Sequence, residues 1–252
     1  MPMIHRDDRD GIAVLRIEHG KANTLDLELC DAIVEAFDNA ADARAVVLTG
    51  TGRIFSAGVD LFRVLDGGAS YIDAFVPAMC RAFERIFLHP APVVAAANGH
   101  AIAGGCLLVA AADLRLMAAG TARIGIPELQ VGVPFPPIAL EIMRFATPPQ
   151  HFQSIVYRAD THEPSGALGL GLLDEVVDPA TLLDRALTGA ERLASVHRES
   201  FALTKREVRR PAMVRVRALE QTVAREVREQ WLEPETLERI RDYLDRTIPK
   251  NR

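Results

Sequence analysis

The chain has 252 residues, a length that fits one large domain or one domain with a smaller appendage. Charged residues make up 25% and hydrophobic residues 49%, as in ordinary globular proteins, and a net charge of −5 argues against a dedicated nucleic-acid binder. The longest apolar run, residues 101–112, is shorter than the roughly 18 residues that span a bilayer. The three cysteines are too far apart for a CxxC site, and the first ten residues are polar and acidic, unlike a targeting segment. We therefore expect a cytoplasmic protein that has neither a membrane nor a nucleic-acid partner.

Short apolar runs alternate with helical patterns through the first two-thirds of the chain. Predicted strands cover residues 12–17, 45–49, 92–97 and 114–117. Between these strands, apolar residues recur every four positions from Leu29 to Phe37 and from Phe75 to Phe87, which is typical of amphipathic helices. Strands separated by helices favour an α/β fold with a buried, largely parallel sheet.

The composition changes near residue 195, after which charged residues crowd helical patterns and no strand is evident. We expect helices over residues 199–209, 212–231 and 234–247, broken by Pro211 and Pro234. The chain is therefore divided into a core of residues 1–194 and a helical region of residues 195–252. A terminal helical appendage of this kind packs on its own domain or on another subunit.

Three glycine-containing segments stand where strands lead into loops or helices. They are residues 55–61 (FSAGVDL), 98–108 (NGHAIAGGCLL) and 124–134 (IGIPELQVGVP). Glycine at such junctions lets backbone N–H groups approach a ligand closely. Gly104 and Gly105 open a helix, whose N-terminus offers unpaired amides to an oxyanion or a carbonyl oxygen. Tight packing of a helix on a sheet would require the same glycines, and no nucleotide-binding fingerprint is present.

Glu128 is the candidate acid/base, because it follows Pro127 in an otherwise apolar stretch. If Glu128 is buried, the pKa of its carboxyl group is raised towards neutrality, which suits a general acid/base. The sequence is equally consistent with a solvent-exposed Glu128 at the start of a helix. His100 is more typical of a structural hydrogen bond than of a base, and Cys106 is more typical of packing. The sequence has no GxSxG serine motif and no histidine or cysteine spacing of a metal site.

Together and in this order, the segments resemble those of the crotonase superfamily, the enoyl-CoA hydratases and isomerases. The matching segments are Lys21-Ala-Asn23, FSAGVDL at 55–61, NGHAIAGGC at 98–106, PELQVG at 127–132 and ALGLGLLDEVV at 167–177. The resemblance covers nearly the whole chain. It implies an α/β fold made of a spiral of ββα units, with C-terminal helices that assemble trimers and often hexamers.

The resemblance also implies an acyl-CoA thioester substrate and no separate cofactor, since coenzyme A is part of the substrate. Backbone amides of Val59 and Gly104 would hold the thioester oxygen in an oxyanion hole. The implied substrate-binding residues are Lys21, Ala22, Ala57, Val59, Asp60, Leu61, Phe62 and Gly104. Arg63 and the arginines of the C-terminal helices are candidates for the CoA phosphates, and residues 62–82 and 133–137 are expected in the pocket walls.

The sequence departs from the hydratases of the superfamily at one of their two glutamate positions. Leu107 stands at that position, Glu128 is kept at the other, and Ala103 replaces the first of three family glycines. Moving a double bond needs one group that removes and returns a proton, so the sequence resembles the Δ3,Δ2-enoyl-CoA isomerase branch. The alternatives are a hydratase or another crotonase-type lyase or hydrolase, and an acyl-CoA-binding protein of this fold without efficient catalysis.

Overall fold

The structure, a computed structural model, describes residues 2–247, and of residues 220 and 221 it describes the backbone alone. The strands are β1 (Ile4–Arg9), β2 (Ile12–Ile17), β3 (Ala45–Gly50), β4 (Ile54–Ser56), β5 (Val93–Ala97), β6 (His100–Ile102), β7 (Leu114–Ala118), β8 (Ile124–Gly125), β9 (Thr161–His162) and β10 (Glu175–Val177). The helices are α1 (Leu27–Asn39), α2 (Leu61–Phe87), α3 (Gly104–Ala110), α4 (Glu128–Val131), α5 (Pro137–Ala146), α6 (Pro149–Arg158), α7 (Pro164–Gly169), α8 (Leu182–Ala194), α9 (Arg198–Leu232) and α10 (Pro234–Thr247).

The strands form two sheets. The larger sheet has the order β1-β2-β3-β5-β7-β10, in which β1 and β2 are antiparallel and the other pairs are parallel. The smaller sheet has the order β4-β6-β8-β9, with parallel pairing except between β8 and β9. The expectation of a largely parallel sheet is confirmed. The polar first residues, for which no strand was predicted, form the exposed edge strand β1.

Successive turns of the chain give one strand to each sheet and then a helix. The repeats are β3-β4-α2, β5-β6-α3 and β7-β8-α4. This is the spiral of ββα units that the resemblance implied. Each turn stacks on the previous one, so the loops that follow β4, β6 and β8 lie side by side at one end of the smaller sheet.

The central strands of the larger sheet are buried on both faces. Val46 and Leu48 of β3 face the main core, whereas Val47 faces a second cluster under α8 that contains Ala186 and Ala190. Because both faces are covered, the strand is buried at every position and apolar from Ala45 to Leu48 instead of alternating, as in other parallel sheets.

The C-terminal helices pack on the core, and the last five residues of the expected helical region lie outside the described part. The expected break at Pro211 is wrong, because α9 continues through that proline. Ala212 and Val216 follow that proline by one and five residues and are buried against the core. Their burial offsets the loss of the backbone hydrogen bond that a proline cannot donate. The expected boundary at Pro234 is correct, since α10 begins there. Across residues 2–247, no helix combines the length and the hydropathy that crossing a bilayer requires.

Helix α2 starts fourteen residues before the predicted periodic stretch. It is kinked at Gly68, whose backbone (φ 54°, ψ −146°) is not helical. The first part of the helix begins at Asp60, which caps it by accepting a hydrogen bond from the Arg63 N–H at 3.1 Å. Leu61 before the kink and Met79 and Phe83 after it line one cavity.

Candidate active site

A largely apolar cavity lies where the loops after β4, β6 and β8 meet. Its lining residues are Ala57, Val59, Leu61, Met79, Phe83, Ile102, Ala103, Gly104, Leu107, Pro127, Glu128, Val131, Val133, Pro134, Phe135, Pro136, Trp231 and Tyr243. The three glycine segments of the sequence therefore come together in one place. Residues from the 62–82 and 133–137 regions contribute walls, as expected.

The loop after β4 is held by backbone hydrogen bonds to the segment before α1. The Leu25 N–H donates to the Gly58 carbonyl at 2.7 Å, and the Asp60 N–H donates to the Leu25 carbonyl at 2.9 Å. Val59 lies between these two bonds. Within residues 2–247, its own N–H donates no hydrogen bond to another backbone group. The flanking bonds fix the direction of that amide at the cavity wall.

The Lys21-Ala-Asn23 segment is fastened to the same loop. The Ala57 N–H donates to the Ala22 carbonyl at 3.0 Å, and the Asn23 side-chain amide donates to the Ile54 and Phe55 carbonyls at 3.0 and 3.2 Å. Asn23 is buried, and its side chain fastens this segment to the strand that leads into the FSAGVDL motif.

Close packing explains two of the glycines near the cavity. A Cβ on Gly58 would stand 2.7 Å from the Ile102 carbonyl oxygen, and a Cβ on Gly105 would collide with the Ser56 carbonyl. The packing interpretation of the Gly-Gly pair therefore holds for Gly105. Gly104 is also closely packed, since a Cβ there would stand 2.6 Å from Leu25 Cδ1. It lines the cavity at the first position of α3, where a helix leaves its amides without intrahelical partners.

Ala103, at the position of a family glycine, adopts a backbone with positive φ (φ 52°, ψ −123°), which glycine adopts more easily. Its N–H donates to the Gly125 carbonyl at 2.8 Å. This turn directs the chain from β6 into α3 and sets the orientation of the Gly104 amide. An alanine there costs on the order of 1 kcal/mol relative to glycine, because its Cβ crowds the carbonyl.

Glu128 is the first residue of the short helix α4, and its side chain is buried in the cavity wall. The helix ends at Gly132, whose left-handed backbone (φ 89°) lets its N–H donate to the Glu128 carbonyl at 2.9 Å. That turn accounts for the PExxxG spacing. The Glu128 Oε2 atom has no hydrogen-bond partner within the described residues, and burial raises the pKa of the carboxyl group to about 8. Of the two positions that the sequence left open, the buried one is correct.

The other predicted substrate-binding residues occupy several places. Ala57, Val59, Leu61 and Gly104 line the cavity. Lys21, Ala22, Asp60 and Phe62 lie outside its wall, with Lys21 exposed and Phe62 52% exposed. Ala22 is hydrogen-bonded to Ala57 of the loop after β4, and Asp60 and Phe62 flank Leu61 where α2 begins.

Arg63 is engaged by neighbouring carboxylates. Its guanidinium donates to the side chains of Asp26 and Glu28 and lies 5.1 Å above the Tyr71 ring. Its availability to a CoA phosphate would require exchange of these partners. His100 accepts a hydrogen bond from the Arg123 N–H at 3.1 Å, and Cys106 is buried in the core.

The C-terminal helices contribute two cavity residues that were not predicted from the sequence, Trp231 at the end of α9 and Tyr243 in α10. Each was assigned to a helical region expected to serve assembly. The one available signal was that the single tryptophan of the chain lies in that region. About a hundred residues separate Trp231 from Glu128, so only the packing of α9 on the core brings them together.

Comparison with known proteins agrees with this geometry. A family model described as enoyl-CoA hydratase/isomerase matches residues 7–242. An enoyl-CoA isomerase structure from Mycobacterium tuberculosis is 33% identical, with a TM-score of 0.82 over 89% of this chain and 99% of that one. An enoyl-CoA hydratase structure from Mycobacterium ulcerans is 32% identical, with a TM-score of 0.80 over 86% of this chain and 95% of that one.

The fold is also that of the human mitochondrial Δ3-Δ2-enoyl-CoA isomerase, with a TM-score of 0.93, 22% identity and coverage of 97% of both chains. The fold and the site define a crotonase-type protein. The chain belongs to the enoyl-CoA hydratase/isomerase family. Among its curated relatives, those named as hydratases outnumber those named as isomerases.

Proposed function

We propose that this protein is an enoyl-CoA isomerase that shifts the double bond of a 3-enoyl-CoA thioester to the 2-position. The observation that carries the proposal is that Glu128 is the sole carboxylate lining the cavity within residues 2–247, while Leu107 lines the same cavity. A double-bond shift needs one proton carrier. Addition of water benefits from a second carboxylate to orient it, and leucine cannot do so.

In the proposed reaction, the Glu128 carboxylate removes a proton from C2 of the 3-enoyl thioester. The electron pair of that C–H bond enters the conjugated system as a dienolate, and its negative charge gathers on the thioester oxygen. Glu128, now a carboxylic acid, returns the proton to C4, and the double bond comes to rest between C2 and C3. One proton leaves and one returns, so the step needs no co-reactant.

The Val59 and Gly104 amides are the proposed donors to the dienolate oxygen. Both line the cavity with Glu128, and the Gly104 amide belongs to the first turn of α3. Fixed backbone donors stabilise charge as it develops and require no reorganisation, and one such donor is typically worth about 3–4 kcal/mol of barrier. The apolar wall strengthens this interaction because little water competes for the oxygen.

A hydratase is the second candidate, favoured by the names of most of the relatives. In that case a water molecule would have to be oriented in the cavity by groups other than a second carboxylate. Binding of acyl-CoA without efficient turnover is the third possibility. All three share an acyl-CoA thioester ligand, and the proposal includes assembly of the chain as a homotrimer or hexamer.

Parallel assays of the purified protein on matched 3-enoyl-CoA and 2-enoyl-CoA esters decide between these candidates. We expect rapid conversion of the 3-enoyl ester and hydration of the 2-enoyl ester at least about a hundred-fold slower. Glu128→Gln keeps the shape of the side chain but carries no proton, so it should lose turnover while still binding the thioester. Rapid hydration by the unmodified protein would refute the proposal, and binding without any turnover would select the third candidate.

Leu107→Glu provides a matched variant, because it restores the second carboxylate of the hydratase pattern. The two buried carboxylates would repel each other, which raises the pKa of one of them. We expect hydratase activity to increase relative to isomerase activity, with some loss of stability from burying a charge where leucine packs. An unchanged ratio of the two activities in a folded variant would show that Leu107 does not determine the reaction.

A further inference from the structure

Trp231 stands in a wall that separates the active-site cavity from a second, outer cavity. It lines the active-site cavity and is 2% exposed, so neighbouring side chains cover it almost completely. Tyr243, the other cavity residue from the C-terminal helices, is half-buried and closer to the solvent.

The wall is a small apolar cluster whose members face two ways. Val131 and Val133 line the active-site cavity, whereas Ile72 and Val227 line the outer cavity. Trp231 belongs to the same buried cluster, one helical turn after Val227 on α9. Its indole is the largest side chain in the cluster, and it lines the active-site cavity while it belongs to one buried cluster with the residues that line the outer cavity.

The outer cavity is a cleft between α2, α5 and α9. Apolar side chains line most of it, among them Val76, Ile138 and Val216. Charged side chains also contribute, namely Arg81, Glu84, Arg225 and the Asp73–Arg228 ion pair. Pro136 contributes to both cavities, so they adjoin at that residue as well as across the wall. An acyl chain that passed the wall would therefore enter a second apolar space.

We propose that Trp231 is a specificity-determining residue that limits the length of the acyl chain, so that the protein prefers short- and medium-chain acyl-CoA esters. The inference rests on the proposed function to the extent that the acyl group occupies this cavity. It does not depend on which reaction Glu128 performs. Each buried methylene improves affinity by about four-fold, and the gain stops where the chain meets the indole.

The ring is held in place by packing, because the indole Nε1 has no hydrogen-bond partner within the described residues. Steric size is therefore the property that matters. Trp231→Phe, which keeps an aromatic ring, should retain the limit. Trp231→Ala should open the wall, and Val227→Ala should weaken it from the other side.

The experiment measures binding of saturated acyl-CoA esters from butanoyl- to dodecanoyl-CoA, which cannot undergo the reaction. In the unmodified protein the intrinsic fluorescence reports contact directly, because Trp231 is the one tryptophan of the sequence. Calorimetry provides the dissociation constants for all variants. Leu219→Ala is the matched control, since Leu219 lies on the same helix, is 42% exposed and lines neither cavity.

We expect the affinity of the unmodified protein to rise with chain length, reach a maximum and then fall. Trp231→Ala should raise the affinity for dodecanoyl-CoA by at least about ten-fold and leave that for butanoyl-CoA within about two-fold, with a smaller shift for Val227→Ala. If Trp231→Ala does not fold, Val227→Ala carries the test. An affinity that keeps rising to dodecanoyl-CoA in the unmodified protein, or an unchanged length profile in the folded variants, would overturn the inference.

The same measurements distinguish this inference from the proposed function. A length limit removed by Trp231→Ala, in a protein that does not isomerise 3-enoyl-CoA, would support the inference and refute the isomerase. If no acyl-CoA ester binds at all, both fail.

Discussion

Glu128 combines two properties that a proton carrier needs, a fixed position and a pKa near neutrality. The short helix α4 fixes the backbone at both ends, through Pro127 at its start and Gly132 at its end. The apolar wall supplies the second property, since burial is the main cause that raises the pKa. A carboxyl group with a pKa of about 8 is ionised in roughly a tenth of molecules at pH 7, and its conjugate base is stronger than an exposed carboxylate.

The first prediction is that isomerisation increases with pH. Because the ionised form of Glu128 removes the proton, kcat/KM should increase about ten-fold per pH unit below the pKa and level off above an inflection near pH 8. A pH profile of kcat/KM with a 3-enoyl-CoA ester measures this inflection. A profile that is flat between pH 6 and 9 would mean that another group controls the rate.

The pH dependence of the stability of Glu128→Gln, compared with that of the unmodified protein, provides an independent test of the raised pKa of Glu128. The native state keeps the Glu128 proton up to about pH 8, whereas the unfolded chain releases it near the ordinary value of 4.5. The free energy of unfolding of the unmodified protein should therefore decrease between these two pH values, by as much as about 1.4 kcal/mol per unit. Glutamine does not titrate, so the variant should gain stability relative to the unmodified protein as the pH rises through this range.

At the scale of elements, a buried ion cluster joins α9 to the end of α3. Asp113 accepts hydrogen bonds from Lys205 at 2.6 Å and from Arg209 at 2.7 Å, and all three side chains are largely buried. Arg209 also donates to the carbonyls of Phe87 and Ala111 and lies over the Phe87 ring. Burial lowers the pKa of Lys205 to about 8, and Asp113 opposes that shift. The cluster positions α9, which carries Trp231 to the cavity.

The second prediction is that Asp113→Asn destabilises the protein by about 3–5 kcal/mol, because two buried cations lose their counter-ion. Chemical denaturation at pH 7 measures the change in the free energy of unfolding. Asp38→Asn is the matched control, since the Asp38–Arg85 pair is half-exposed, at 3.1 Å, and should contribute at most about 1 kcal/mol. Equal effects of the two substitutions would show that the cluster does not hold α9 in place.

The elements that could be predicted from the sequence are those whose pattern reflects local burial. Strand β3 is apolar at nearly every position because both faces of its sheet are covered, and α1 repeats every four residues because one face is buried. Strands β4 and β8 have three and two residues, and they exist because the spiral places them beside β6. No local pattern indicates such pairing.

The residues of the site also fall into two groups, those that the sequence could predict and those that it could not. Gly58 and Glu128 lie in motifs whose residue types follow from close backbone approach and from a tight turn, so the sequence is informative there. Trp231 is placed by the packing of α9, which in turn depends on a proline-containing helix that the sequence predicted to break. The wall residues of the cavity could therefore be found only in the folded chain.

At the scale of the whole molecule, α9 is the longest helix described, and it has two different sides. With 35 residues it extends for about 52 Å. One side packs on the core through Ala212 and Val216, while Leu203 and Val214 are 52% and 62% exposed. These two residues are eleven positions apart, which is close to three full turns, so they lie on the same side of the helix. We expect this side of the helix to contribute to the association surface of the proposed assembly.

The third prediction is that the full chain sediments as a trimer or hexamer of its 27.5 kDa subunit, and that Leu203→Glu combined with Val214→Glu reduces it to smaller species. Tyr157→Glu is the matched control, because Tyr157 is 70% exposed on α6 and should leave assembly unchanged. Trp231, Tyr243 and Glu128 of one chain line the same cavity, so each subunit of an assembly would carry these residues itself. We therefore expect the dissociated variant to keep most of its activity per subunit. A clean 27.5 kDa species for the unmodified chain would contradict assembly, whereas loss of both assembly and activity would mean that a neighbouring subunit helps to form the site.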